Sequence, residues 1–575
     1  MIKLFRFMQP YRAALALVFI LVFVQSLANL YLPTLMANIV DTGIVKGDTA
    51  YILRVGGFML LVAIGGTICA IVASFFSSRV AVGFGKIIRA KLFTHVEHFS
   101  LHEFDTVGTA SLITRTTNDT TQVQQVLVIM LRLMISAPLM CIGGIIMAVS
   151  QDATLSWVLV AIIPILVIAI FAIMGKAIPL FRIVQVKLDK LNLVLDEGLT
   201  GVRVIRAFDR TNHEIERFDE ANLDLTDTTI KVNQIVAFLM PVMMLVLNLS
   251  SIAILWFGSI RINNGDMQVG ALIAFLQYAM QILFSLLMVS MMFIMLPRAS
   301  ASAARINEVL AMEPEIKDAE QVQDTDTQRG YVEFQDVTFS YPGAEEPALS
   351  HISFTSRPGE TTAIIGGTGS GKSTLISLIP RFYDIDSGHV LIDGVDVRDM
   401  SQHHLRAKIG FVPQKTVLFS GSIADNIQYG KEDAPDAELQ HAASTAQATE
   451  FISGMQDGFD AEIAQGGTNV SGGQKQRLSI ARALVRRPEI YVFDDSFSAL
   501  DFKTDARLRT ALKKETRDAA VFIVAQRVST VMDADQIIVL DDGHIAGVGN
   551  HRALMDTCEV YREIVSSQLS LEEIA

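Results

Sequence analysis

At 575 residues the chain is too long for one ordinary domain, and its apolar residues, 51% of the total, are unevenly spread. Residues 1–300 carry 22 Lys+Arg against 18 Asp+Glu, and residues 301–575 carry 25 against 42, so the net charge of −13 divides into a mildly basic half and a strongly acidic one. Only three cysteines occur, Cys69, Cys141 and Cys558, with neither zinc nor redox spacing, which argues against a cysteine-built metal or thiol centre and leaves them as small core residues.

In chain order, the first twelve residues set Leu4, Phe5, Phe7 and Met8 beside Lys3 and Arg6, a composition that suits a short helix lying in a membrane interface. Apolar stretches of spanning length follow near residues 13–37, 55–76, 133–150, 154–174, 236–259 and 269–297, and predict an all-α membrane domain of six helices over residues 13–297. The first stretch runs well past the roughly 7 to 15 apolar residues of a signal peptide and is expected to remain a span. Lys and Arg crowd two connections. One holds Arg79, Lys86, Arg89, Lys91 and Arg115; the other runs from Lys176 to Lys231. The opposite side has only Lys46, Arg54 and Arg261, so both termini are expected on the cytoplasmic side. The two basic connections, of about 45 and 60 residues, are too long for hairpin loops and read as helical continuations of the spans.

Gln25, Asn29, Asn248, Gln277 and Gln281 lie within the spans, where an unpaired amide is costly, and should face the bundle interior, either lining a pathway or joining helices. Met288, Met291, Met292 and Met295 recur at helical spacing and give either a deformable apolar surface or simple packing.

After Pro297 the chain turns polar and acidic, a linker over residues 298–328 precedes a second domain, 329–575, and a strand opens at Tyr331. Gly366-Gly-Thr-Gly369-Ser-Gly371-Lys372-Ser373-Thr374 follows the strand pattern Thr361 to Ile365 and precedes the helix pattern Leu375 to Ile379, the context a phosphate-binding loop requires. Its glycines let backbone N–H groups approach phosphates, Lys372 neutralises them, Ser373 ligates Mg²⁺, and the helix N-terminus adds its dipole. A second apolar strand, Ile490 to Phe493, ends in Asp494, expected to reach the same Mg²⁺ from the neighbouring strand. An α/β nucleotide-binding domain follows from these elements.

Between them lies Ser471-Gly472-Gly473-Gln474 at the head of an apolar helix, and here the chain resembles the ATP-binding cassette (ABC) transporters, whose signature this is. The resemblance places Tyr341 as the aromatic that stacks on adenine, Gln414 in the Q-loop with a share in the metal site, and Asp501 in the D-loop. It extends over the whole chain. An interfacial N-terminal helix, six spans, two long cytoplasmic extensions and a C-terminal cassette resemble one half of a multidrug-type exporter. Ser111 to Asp119 and Gly201 to Phe208 are similar to the family's intracellular segments, whose coupling helices press on the cassettes. The resemblance implies ATP and Mg²⁺ as cofactors, and a dimer in which one cassette's phosphate loop faces the other's signature. It further implies a lipid membrane and a small amphipathic substrate as partners, and no nucleic acid.

Two positions depart from that pattern. Asp495 stands where the family has a Glu that acts as base or orients water, and Gln526 stands where it has a histidine. An amide can donate to a γ-phosphate but cannot become cationic. Asp495 and Gln526 beside an intact phosphate loop and signature resemble the degenerate-site subunit of bacterial heterodimeric exporters, which pair one weakened site with one competent site. The expected function is therefore ATP-driven export of apolar or amphipathic compounds from a bacterial cell membrane. The alternatives are a same-fold transporter of a specific lipid, peptide or siderophore, and an ATP-gated regulatory subunit.

Overall fold

The computed structural model describes residues 2–319, 322 and 329–568, with the side chains of residues 2 and 290–294 outside the description. Met291 and Met292 therefore lie outside the described side chains, whereas Met288 is half-buried and Met295 exposed. The chain divides into two compact units, Met1–Glu97 with Thr109–Met312, and His98–Gly108 with Glu313–Ala575.

Among the described residues of the first unit, six helical stretches are long and apolar enough to cross a membrane: Lys3–Ile44, Thr49–Val96, Thr109–Gln151, Trp157–Thr200, Thr211–Asn263 and Val269–Val289. Several run far beyond the roughly 20 residues a bilayer needs, the longest at 53 residues, so the basic connections are helical continuations. Short helical turns, Ile2–Phe5 and Arg6–Tyr11, precede the first long helix. Close packing at this end uses glycine: a Cβ at Gly83 would stand 2.1 Å from the Tyr11 hydroxyl.

Inside the bundle, Tyr278 donates to the Leu30 carbonyl at 2.8 Å and lies 2.7 Å from the Thr34 hydroxyl, so a buried phenol is satisfied without water. Gln281 reaches the Asn29 carbonyl at 3.4 Å, while Asn248 and Gln277 are exposed on the single chain rather than turned into its own bundle. Nearer the helix ends, Asp119 is buried and accepts from Ser302 at 2.8 Å and from Arg305 Nε at 2.7 Å.

The helix starting at Val269 does not stop at Pro297 but continues to Ala311, so residues 298–311, expected as linker, are helical. The reason is a buried stripe, Ala299, Ala303, Ile306 and Val309, at helical spacing within a polar-looking segment. Residues 98–108 belong to the second unit, with the helix Leu101–Val107 capped by Ser100 and Glu103, whereas Ser111 to Asp119 stays in the first.

The second unit holds twelve strands among its described residues: β1 Val332–Phe339, β2 Leu349–Ser356, β3 Thr361–Gly366, β4 Ser387–Ile392, β5 Val395–Asp396, β6 Ile409–Val412, β7 Gly421–Ser422, β8 Glu462–Ile463, β9 Ile490–Asp494, β10 Ala520–Val524, β11 Gln536–Asp541 and β12 His544–Gly549. They form an antiparallel sheet ordered β2-β1-β4-β5, a six-stranded sheet ordered β12-β11-β3-β10-β9-β6, and the pair β7-β8. In the larger sheet β11, β3, β10, β9 and β6 run parallel, so their C-terminal ends line one edge, where ligands of open α/β sheets bind. Strand β10 lies between β3 and β9, which corrects the expectation that Asp494 comes from the strand next to the phosphate loop.

Candidate nucleotide site

Four loops converge at that parallel edge, because each leaves the C-terminal end of a neighbouring strand. The phosphate loop leaves β3 and runs into the helix Lys372–Leu378. Gly369 and Gly371 take φ of 86° and 94°, a region that side chains with a Cβ rarely adopt. A Cβ on Gly366 would also meet the Leu540 carbonyl oxygen at 2.1 Å. Lys372 donates its ammonium to the Gly366 carbonyl at 3.0 Å and is held in the loop. Burial pushes its pKa down, opposed by the charges of Asp494 and Asp495.

Ser373, at the start of that helix, donates to Asp494 at 3.1 Å, which brings the two expected metal ligands together although a strand separates their parent strands. Asp494 is buried, and burial, with Asp495 beside it, raises its pKa against the pull of Ser373 and Lys372. Among the described residues no group of three or more His, Cys, Asp or Glu side chains could hold a metal ion. A cation at this place would rest on the hydroxyl, a carboxylate and the ligand's own phosphate oxygens, which suits a hard, oxygen-seeking ion such as Mg²⁺.

Asp495 occupies a left-handed backbone conformation, φ 46°, and its N–H donates to the Val524 carbonyl at 3.0 Å. Two side-chain amides converge on one of its carboxylate oxygens: Gln414, beyond β6, at 3.4 Å and Gln526, beyond β10, at 3.2 Å. Burial raises its pKa, countered by Gln414 and by the Arg527 guanidinium. The structure thus brings Gln414, Asp494, Asp495, Gln526, Lys372 and Ser373 into one cluster.

Tyr341 is partly exposed, 3.0 Å through its hydroxyl from Thr374 and packed edge-on against Tyr383. Ser471 caps the helix Gly472–Val485: its hydroxyl accepts from the Gln474 N–H at 3.3 Å, and Gln474 accepts in return from the Ser471 N–H at 2.8 Å. Ser471 and Gly472 are exposed, and Gly473 is partly so; a Cβ on Gly473 would meet the Ala499 carbonyl oxygen at 3.0 Å. Asp501 caps its own helix, Phe502–Glu515, through the Thr504 N–H at 3.0 Å. Two contributors carry no motif in the sequence. Arg527 donates to the Ser498 carbonyl at 3.2 Å, and Gln568 bonds the backbone on both sides of Arg527.

Comparison with known proteins shows the family. The ABC transporter transmembrane region matches residues 15–287, and the ABC transporter family matches residues 349–498. An uncharacterized ABC transporter ATP-binding protein of Mycobacterium tuberculosis is 46% identical, over 97% of each chain. A Bacillus subtilis protein provisionally named a multidrug export ATP-binding/permease protein is 32% identical, over 98% of each chain. Among solved structures, a bacterial Atm1-family ABC exporter with ATP bound superposes with a TM-score of 0.82 at 25% identity, covering 97% of this chain and 99% of that one.

Proposed function

The chain belongs to the ABC transporter family as an ATP-binding half-transporter of exporter fold and a multi-pass membrane protein; on that premise we propose that it is one subunit of a heterodimeric exporter and contributes the weaker of two ATP sites. The observation that carries the proposal is the arrangement around Asp495. A carboxylate one methylene shorter than Glu is engaged by two amides, and the group that would meet a γ-phosphate from beyond β10 is the uncharged Gln526. The substrate is apolar or amphipathic, a reading supported by the relative named for multidrug export. The fold supports export, and the Lys/Arg asymmetry of the connections supports cytoplasmic termini in a bacterial cell membrane. We assign residues 1–12 to an interfacial helix, 13–297 to the membrane domain and 329–575 to the cassette.

In this reading Tyr341 stacks on adenine, the loop from Gly366 through Gly369, Gly371, Lys372, Ser373 and Thr374 cradles the phosphates, and Ser373, Asp494 and Gln414 hold Mg²⁺. The ion, when bound, neutralises charge between the phosphates. Ser471, Gly472, Gly473 and Gln474 complete the non-identical partner's site, with backbone N–H groups at a helix N-terminus. Asp501 lies beside the interface those two sites share.

The asymmetry is testable in the complex purified from native membranes. Ser471→Arg is expected to abolish nearly all ATPase and transport, because it blocks the competent site. Asp495→Ala should cost little further turnover. A homodimer would use both groups in each of its sites, so equal silencing by the two substitutions would overturn the proposal.

A further inference from the structure

The chain's last described helix, Glu559–Gln568, is fixed to the cassette core by Tyr561 and Val565, both fully buried, and by the Tyr561 hydroxyl, 2.8 Å from His551 Nδ1. At its end the Gln568 amide engages the backbone of the loop after β10 twice. Its Oε1 accepts from the Val528 N–H at 2.9 Å, and its Nε2 donates to the Gln526 carbonyl at 2.8 Å. The orientation of the amide is settled by its partners, since the reverse would set N–H against N–H and oxygen against oxygen. Val528 opens the short helix Val528–Val531, so its N–H is one of the donors a helix start leaves without an internal partner. Gln568 supplies that partner and grips residue 526 in the same stroke.

We infer that Gln568 is a positioning residue for the nucleotide site, acting through Gln526. The backbone of Gln526 is pinned from one side by Gln568, while its side chain donates to Asp495 on the other at 3.2 Å. Arg527, between the two gripped residues, is tied to the Ser498 carbonyl at 3.2 Å. The reach of the Gln526 amide toward a bound phosphate is set by a helix that itself contributes nothing to the phosphate cradle. A Glu at 568 would keep the acceptor for Val528 but turn an oxygen against the Gln526 carbonyl. A Met would fill the same space and make neither bond.

The inference rests on the reading of Gln526 as a phosphate contact, and the test separates the two. The full complex in nanodiscs is loaded with radiolabelled 8-azido-ATP and Mg²⁺, chased with unlabelled ATP, and photocrosslinked at intervals, so that label remaining on this chain reports release from its own site. Gln526→Ala is expected to speed release about fivefold, the effect of one lost hydrogen bond. Gln568→Met should do nearly the same, Gln568→Glu, which sets an oxygen against the Gln526 carbonyl, should release at least as fast, and the Gln526→Ala/Gln568→Met pair should release no faster than Gln526→Ala alone. Melting temperatures of the single variants are expected to match the wild type. If Gln526→Ala releases fast but Gln568→Met releases like the wild type, or if the two effects multiply in full, Gln568 does not act through Gln526 and the inference is overturned. If Gln526→Ala leaves release unchanged, the phosphate reading of Gln526 fails and the inference falls with it.

Discussion

At the scale of single residues, identity and surroundings give different information. Asp495 and Gln526 are visible in the sequence as a shortened acid and an amide, but the left-handed backbone at Asp495, φ 46°, and the two amides converging on it depend on where β6 and β10 end. Gln568 lies 42 positions from the residue it grips, with no periodicity or motif to mark it. A positioned base commonly supplies on the order of 10²- to 10⁴-fold in rate. Restoring both changed groups, Asp495→Glu with Gln526→His, should therefore raise ATP hydrolysis at this chain's site by at least about tenfold. Single-turnover hydrolysis of ATP retained on this chain is the measurement, and an unchanged rate would place the weakness elsewhere in the site.

At the scale of elements, apolar run length revealed the six spans, and a glycine-rich motif between strand and helix patterns revealed the phosphate loop, because each is a local pattern. The strand order was not legible: β10 comes between β3 and β9 although it follows both in the chain, and nothing local distinguishes a strand inserted between two others. The helix through residues 298–311 was hidden by its composition, since half of the buried stripe is alanine and the polar residues around it dominate the average. That stretch carries the Arg305 bond to Asp119, an ion pair in which the Asp119 side chain is 4% exposed and the Arg305 side chain 48%. The inequality sets the order of two substitutions. Arg305→Leu strands a buried carboxylate with Ser302 as its remaining close donor, at a cost of the order of 3 kcal/mol. Asp119→Asn leaves an arginine that can turn to water and should cost less. Thermal melting of the two variants in detergent should show the larger drop for Arg305→Leu; the reverse order would mean that the pair is not the restraint its burial indicates.

At the scale of the whole molecule, the six spans were legible in outline, since spanning length is a property of the chain alone, while the inner face of a transporter is not. Asn248 and Gln277 were expected to face the bundle interior, yet both are exposed on the single chain, whereas the Gln281 amide donates to the Asn29 backbone carbonyl. An amide left against hydrocarbon is costly, so an exposed pair within apolar helices is best accommodated where a second chain and water, rather than lipid, lie beside it. In the complex proposed above two chains would enclose the path between them, which provides that situation. Single cysteines at Asn248 and Gln277, in a complex whose Cys69, Cys141 and Cys558 have been replaced by Ala, should react with a membrane-impermeant maleimide, whereas a cysteine at Ile168, exposed on an apolar helix face, should not. Reaction should be strongest without nucleotide and should fall when ATP and vanadate are added, as closure of the cassettes withdraws the cavity from the side that admits the reagent. If both amide positions resist the reagent in every state while Ile168 behaves alike, these residues face lipid, and the path across the membrane lies elsewhere in the complex.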